Sequence, residues 1–401
     1  MNRLWQQLAI ATNWPVLVAA AVLSSLGILS IWADNSTDGV RQLVFLGVAV
    51  ACMTLFQAVD YRTIGKLSWG FYLLSLLLVL YTVVGGLLDA RGMTPLPGTK
   101  IIKGACNWIR FGSMSLQPAE LMKVAFIMVL ARYLRFRSNY RTFKGLLPPF
   151  ALALVPLVLI LKQPDLGTAL VFIPILFAML FVAGAKVSHL LAIVLIGASF
   201  VPIAWMAGRD PKGDPYSRVP GFKYLPTLIK DYQRNRVRAL FTGDDDPATL
   251  KKENFQTYRA MTAFASGGPT GKGPGQIPVG RNVPEAHNDM VFALIGEQFG
   301  FLGSVVVLGA YIVLFAAGIE ISAATKEPFG RLIALGIVAM LAGQTFINLM
   351  VATRLMPVTG VTLPFVSYGG SSLLASYMAV GLLLNVGQNR PLVMARESFE
   401  F

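Results

Sequence analysis

The chain alternates long apolar runs with short polar breaks, and this pattern dominates everything else in it. Stretches near 14–32, 42–59, 66–88, 117–134, 146–161, 168–184, 187–207, 290–319, 329–353 and 363–388 are apolar for most of their length. Roughly 20 such residues in a helix span the hydrocarbon core of a bilayer. The pattern predicts an all-α membrane protein, a polytopic bundle of about ten transmembrane helices. The run at 117–134 is the least apolar, because it carries Glu120 and Lys123. The run at 290–319 is long enough to tilt or to begin outside the bilayer. The first run, Trp14 to Trp32, exceeds the usual core of a cleaved signal peptide and is read as an uncleaved first helix.

Cations set the expected orientation. Arg132, Arg135, Arg137, Arg141 and Lys144 cluster around the break after the fourth run. Placing that break in the cytoplasm puts both termini inside, with Arg62, Lys66, Lys186, Lys326, Arg331, Arg390 and Arg396. The 89–116 segment then lies outside with Arg91, Lys100, Lys103 and Arg110, as does a large extracytoplasmic loop at 208–289 between the seventh and eighth helices. We expect one membrane domain over 1–401 with that loop inside it. Within the loop, Lys230–Leu240 reads as a short basic amphipathic helix at the membrane surface. Ser266-Gly-Gly-Pro-Thr-Gly-Lys-Gly-Pro-Gly275 reads as a glycine-rich turn. It is one residue short of a phosphate-binding Walker loop, and Gly273 stands where such a loop needs Ser or Thr. Nucleotide binding is rejected.

Composition agrees with the pattern. Of 401 residues, 55% are hydrophobic and 13% charged, about half the charge of a soluble domain; mean hydropathy is +0.62. Two cysteines, Cys52 and Cys106, and two histidines, His189 and His287, make neither a disulfide framework nor a zinc site. Ligation of a metal by carboxylates alone stays open. The net charge of +14 fits positive-inside topology and attraction to anionic membrane lipids. Nucleic-acid binding is excluded, because the basic residues are scattered among apolar runs.

Ionisable residues within or beside such runs need an explanation. Glu120 and Lys123 are three apart, share a helical face and can pair, either as a structural ion pair or as the wall of a polar cavity. Asp165, in Lys162-Gln-Pro-Asp-Leu-Gly-Thr168, suits a helix cap between two spans. Asp289 ends the cluster Pro284-Glu-Ala-His-Asn-Asp289 at the outer end of the eighth run. It is either a charge stabilised by the helix dipole or a carboxylate placed to take a proton from a sugar hydroxyl. Glu297 lies further along the same run. Met356-Pro-Val-Thr-Gly360 and Leu363-Pro-Phe-Val-Ser-Tyr-Gly-Gly-Ser-Ser372 read as an irregular, tightly packed entry to the last helix.

Taken in order, these segments resemble the motifs of the SEDS (shape, elongation, division, sporulation) family. Asn107-Trp108-Ile with Gln117-Pro-Ala-Glu120 and Lys123, then Gln163-Pro-Asp-Leu-Gly-Thr168, Gln256 with Ser266-Gly-Gly and Gly271-Lys-Gly273, Pro284–Asp289 and Leu363–Ser372 all fall in register. Met356-Pro-Val-Thr-Gly360 looks more like the elongation member, RodA, than the division member, FtsW. Ala119 stands where the family has serine, Arg354 replaces a small residue, and the acidic run Asp244–Asp246 is unusual.

The resemblance implies an inverting peptidoglycan glycosyltransferase in the bacterial cytoplasmic membrane. Its substrate would be lipid II, an undecaprenyl-pyrophosphate disaccharide-pentapeptide, and its partner a single-span class B penicillin-binding protein. It also implies that Asp289 is the catalytic base and that Glu120, Lys123, Trp108, Arg110, Lys162, Asp165, Lys272, His287 and Ser367 surround the substrate. Cationic help for the pyrophosphate would come from Lys123, Lys162, Arg110, Lys272 or Arg281, or from a divalent cation such as Mg or Mn. The rival readings are a lipid II flippase or transporter using the same cavity, and a non-enzymatic scaffold of the wall-synthesis complex.

Overall fold

The structure, a computed structural model, describes residues 13–99, 101, 105–112, 114–136, 139–207, 234, 236, 237, 240, 255–283 and 286–389. Each expected span is a helix. In chain order the helices are α1 (Trp14–Asp34), α2 (Ser36–Ala58), the short α3 (Tyr61–Lys66), α4 (Ser68–Ala90), α5 (Pro118–Arg135), α6 (Leu147–Lys162), α7 (Leu166–Ala183), α8 (Val187–Met206), α9 (Phe255–Ser266), α10 (Val291–Ala324), α11 (Pro328–Ala352) and α12 (Gly370–Gln388). Among the described residues, nine are long and apolar enough to cross a membrane. The remaining long helix, α5, is too charged for that set, yet fourteen of its eighteen residues are buried. It is wrapped by α4, α6, α7, α11 and α12. Glu120 and Lys123 are tolerated there because they face protein rather than lipid. At the other extreme, α8 packs on α7 and leaves nearly its whole surface to lipid.

Local chemistry moves several boundaries. α2 starts six residues before the apolar run at 42–59, because the Asn35 side chain caps it by accepting from the Thr37 amide at 3.0 Å. α12 starts at Gly370 instead of 363. Pro364 has no amide hydrogen to give, and Phe365 is held at a φ of 67°. Burial of the Phe365 ring, edge-on to Tyr377 with centroids 5.3 Å apart, holds that strained backbone in place. The outer 89–116 segment contains a two-stranded antiparallel ribbon, β1 (Ile109–Phe111) and β2 (Met114–Leu116), which the hydropathy did not predict. Most of the 230–240 segment and all of Asp244–Asp246 lie outside the described residues; Arg234, Arg236, Val237 and Leu240 are helical.

The long helix α10 is two helices joined at Gly300, whose φ of 66° and ψ of −160° break the ladder. The glycine-rich turn supplies the missing hydrogen bonds. The Lys272 amide donates to the Glu297 carbonyl (2.9 Å) and the Gly273 amide to the Gln298 carbonyl (3.0 Å). Across the break, the Phe301 amide donates to the Gly268 carbonyl (2.9 Å) and the Leu302 amide to the Pro269 carbonyl (3.1 Å). Strap and helix meet backbone to backbone, so a Cβ on Gly267 would lie 1.9 Å from the Gly296 carbonyl oxygen. The buried Glu297 carboxylate closes the strap, accepting from Lys272 Nζ (2.8 Å), Val279 N (3.1 Å) and Gly280 N (2.7 Å). Gly267→Ala is expected to destabilise the protein by about 1–3 kcal/mol, read as a lower thermal midpoint in detergent; an unchanged midpoint would mean that the strap can shift freely.

Two sets of loops mark the two ends of the bundle. At one end the Tyr61 hydroxyl and the Arg135 guanidinium both reach Glu327, each at 3.2 Å. At the other end the ribbon, the 163–165 turn, residues 287–289 and the 358–369 segment come together.

Candidate active site

Five long helices, α2, α5, α7, α10 and α12, bring their N-terminal ends to one cleft of about 790 Å³. The positive ends of their helix dipoles therefore converge there, which favours an anionic occupant. Arg41 enters from the second turn of α2, Arg110 and Trp108 from the ribbon, and Arg236 from the 208–289 segment. The Arg236 guanidinium donates to the Val358 carbonyl at 2.8 Å. Gln117 and Asp165 form one wall, joined by a 2.9 Å hydrogen bond from Gln117 Nε2 to Asp165 Oδ2. Asp165 also caps α7, accepting from the Thr168 amide and hydroxyl at 3.0 Å each. Burial pushes its carboxyl up from the ordinary range, against the opposing pull of those Thr168 donors.

Asp289 lines the same cleft from the turn before α10. Its backbone is fastened at three successive carbonyls. The Tyr368 amide donates to His287 O (2.9 Å), the Ser367 hydroxyl to Asn288 O (2.6 Å), and Asn348 Nδ2 to Asp289 O (2.9 Å). Asn348 Nδ2 also reaches the Val361 carbonyl at 2.7 Å. Gly360 faces the carboxylate: a Cβ there would lie 3.9 Å from Asp289 Oδ2, and its φ of 80° suits glycine. The half-buried carboxylate thus sits on a fixed frame at the rim of a polar cleft.

Of the residues expected around the substrate, Trp108, Arg110, Asp165 and Asp289 line this cleft. Glu120 and Lys123 do not; they are buried in α5 and paired to each other at 2.8 Å. Lys162 is exposed on the far side of the Gln163-Pro164 turn and is not in the lining. Lys272 belongs to the strap through its ion pair with Glu297. His287 Nε2 meets Asp34 at 2.7 Å, and Arg281 meets the same carboxylate at 3.6 Å, so both tie the turn to the end of α1. Ser367 is a fastener of the Asp289 turn rather than part of the wall.

Sequence reasoning missed Arg41, Arg236, Tyr368 and Asn348. Arg41 was legible in principle, as a cation two turns past the Asn35 cap. Arg236 falls in the 230–240 segment whose composition reads as a surface helix. Asn348 gave no signal, being one polar residue in a buried helix. Replacing it with leucine, similar in size but without a donor, is expected to lower turnover about tenfold by loosening the Asp289 carbonyl. A parallel thermal-stability measurement checks that the variant is folded; full turnover would detach Asn348 from the site.

Fold and cleft together define a polytopic helical membrane protein that presents a fixed carboxylate among arginines at one end of its bundle. The chain belongs to the FtsW/RodA/SpoVE family, whose model, described as "Cell cycle protein", matches residues 3–391. It is 32% identical over 388 residues (92% of this chain, 93% of the relative) to a probable peptidoglycan glycosyltransferase FtsW of Geobacter metallireducens. It is 35% identical over 374 residues, 90% of each chain, to stage V sporulation protein E of Bacillus subtilis. A chain solved in "Structural coordination of polymerization and crosslinking by a peptidoglycan synthase complex" superimposes with a TM-score of 0.75 at 29% identity, covering 95% of this chain and 99% of that one. The resemblance drawn from the five motifs therefore holds at the level of the family.

Proposed function

We propose that this protein is a peptidoglycan glycosyltransferase that polymerises lipid II at the outer face of the bacterial cytoplasmic membrane, with Asp289 as general base. The observation that supports this best is the meeting of one anchored carboxylate with Arg41, Arg110, Arg236 and five helix N-termini in a single cleft. A sugar hydroxyl is a poor nucleophile until its proton leaves as the new bond forms. Asp289 takes that proton from the acceptor's 4-hydroxyl while the oxygen attacks the donor's anomeric carbon. The bond from that carbon to the pyrophosphate oxygen breaks in the same displacement, so an α-linked donor gives a β-linked strand. Undecaprenyl pyrophosphate leaves as an anion and needs positive charge more than an acid, which the arginines and helix ends provide. Among the described residues no three His, Cys, Asp or Glu side chains converge to hold a metal ion, so this reading routes no step through one.

In this reading the whole chain is one membrane domain, 208–289 is its outer loop, and both termini are cytoplasmic, following the cations at the Glu327 end. The partner is a class B penicillin-binding protein, which crosslinks the peptides that the new strand carries. Met356-Pro-Val-Thr-Gly360 supports assignment to cell elongation. The test is polymerisation of labelled lipid II by the purified protein with its partner, the partner's transpeptidase being blocked. Glycan ladders are expected. Their absence, with labelled lipid II crossing vesicle bilayers, would replace the enzyme with a transporter; their absence without crossing would leave a scaffold.

A further inference from the structure

The Glu327 end of the bundle carries a second concavity that the transfer reaction does not use. It is an open groove of about 650 Å³ between α4, α5 and α6. Trp69 at the start of α4 and Arg132 in the last turn of α5 stand at its mouth, while Leu76 and Val155 lie deeper. Trp69 and Leu76 are seven helical positions apart, so the groove runs about 10 Å into the hydrocarbon. Its floor is apolar, and the one helical carbonyl left open there is met by a side chain. Pro156 deprives the Leu152 carbonyl of its helical donor, and the Tyr72 hydroxyl donates to that carbonyl at 2.8 Å.

The mouth is cationic. Arg132 is half-buried and gives one donor to the Gly65 carbonyl, which ends α3 beside the exposed Lys66. Among the described residues no carboxylate pairs with Arg132, whereas Arg135, one turn on, has Glu327 at 3.2 Å. An arginine without a counter-ion at the polar edge of an apolar groove matches a phosphate carried on an acyl chain. The exposed Trp69 ring fits the same level, where aromatic side chains sit at the membrane interface. We propose that this groove is a binding site for one anionic glycerophospholipid of the leaflet at the Glu327 end. Its phosphate rests on Arg132 and Lys66, and an acyl chain lies along Leu76 and Val155.

The site lies at the opposite end of the bundle from Asp289, and its test needs no turnover, so it stands apart from the proposed transfer reaction. The full-length protein is delipidated in detergent and titrated with phosphatidylglycerol or phosphatidylcholine of identical chains, and bound lipids are counted by native mass spectrometry. Wild type is expected to show one phosphatidylglycerol held more tightly than any phosphatidylcholine. Arg132→Gln should weaken that lipid roughly fivefold, the worth of one interfacial cation. Ala151→Trp, which fills the groove and leaves Arg132 and its Gly65 contact in place, should remove it. Equal binding of the two lipids, or undiminished binding by Ala151→Trp, would overturn the site. Displacement of phosphatidylglycerol by equimolar undecaprenyl phosphate would overturn the glycerophospholipid assignment.

Discussion

Asp289→Asn should abolish glycan polymerisation, lowering the rate by about 10²–10⁴-fold, with the protein still folded in the membrane. Asparagine matches aspartate in size, and the fasteners at this turn grip backbone carbonyls. Tyr368 N, Ser367 Oγ and Asn348 Nδ2 hold His287 O, Asn288 O and Asp289 O whatever the side chain carries. What the reacting position loses is the negative charge and the capacity to accept a proton. Lipid II polymerisation measured beside a thermal melt separates the two effects. Ladders from Asp289→Asn at wild-type rates would move the base elsewhere in the cleft. A clearly lowered thermal midpoint would mean that the carboxylate itself supports the turn.

What could be read from the sequence follows from which forces act locally. The ten spans were legible because a bilayer demands long apolar helices, and even charged α5 kept enough of that pattern. Asp289 was legible as a charge at the mouth of a span. The fasteners were not, because hydrogen bonds such as Asn348 to Asp289 join residues 59 apart, and no local period announces them. The glycine-rich strap shows a different limit. Its composition announced a turn, but its role depends on Gly300 breaking a helix some thirty residues away. Lys272 looked like a free cation beside a substrate for the same reason: its partner, Glu297, is buried in that helix. Lys162 and Arg110 carry the same kind of charge in similar loops, and only the β1–β2 ribbon turns Arg110 to the cleft.

The second large effect is expected at the Glu120–Lys123 pair. Its side chains are 7% and 1% exposed and 2.8 Å apart in the central helix. Removing one partner leaves the other charge buried alone, which costs about 3–5 kcal/mol; Glu120→Leu and Lys123→Met should each lower stability steeply. The double variant replaces both charges with apolar groups of similar volume, and should recover most of that loss. Activity then separates the two readings of the pair. Asp165 senses both charges, Glu120 raising its proton affinity and Lys123 lowering it, and Gln117 passes that wall on to the cleft by its 2.9 Å hydrogen bond. Those two effects oppose each other, so a folded double variant should polymerise lipid II at close to the wild-type rate, and a loss of about tenfold or more would make the pair part of the cleft's electrostatics. Thermal melts and polymerisation rates on the same three variants decide the matter. A double variant that is both stable and fully active would reduce the pair to helix packing and leave the cleft to Asp289, Asp165 and the arginines.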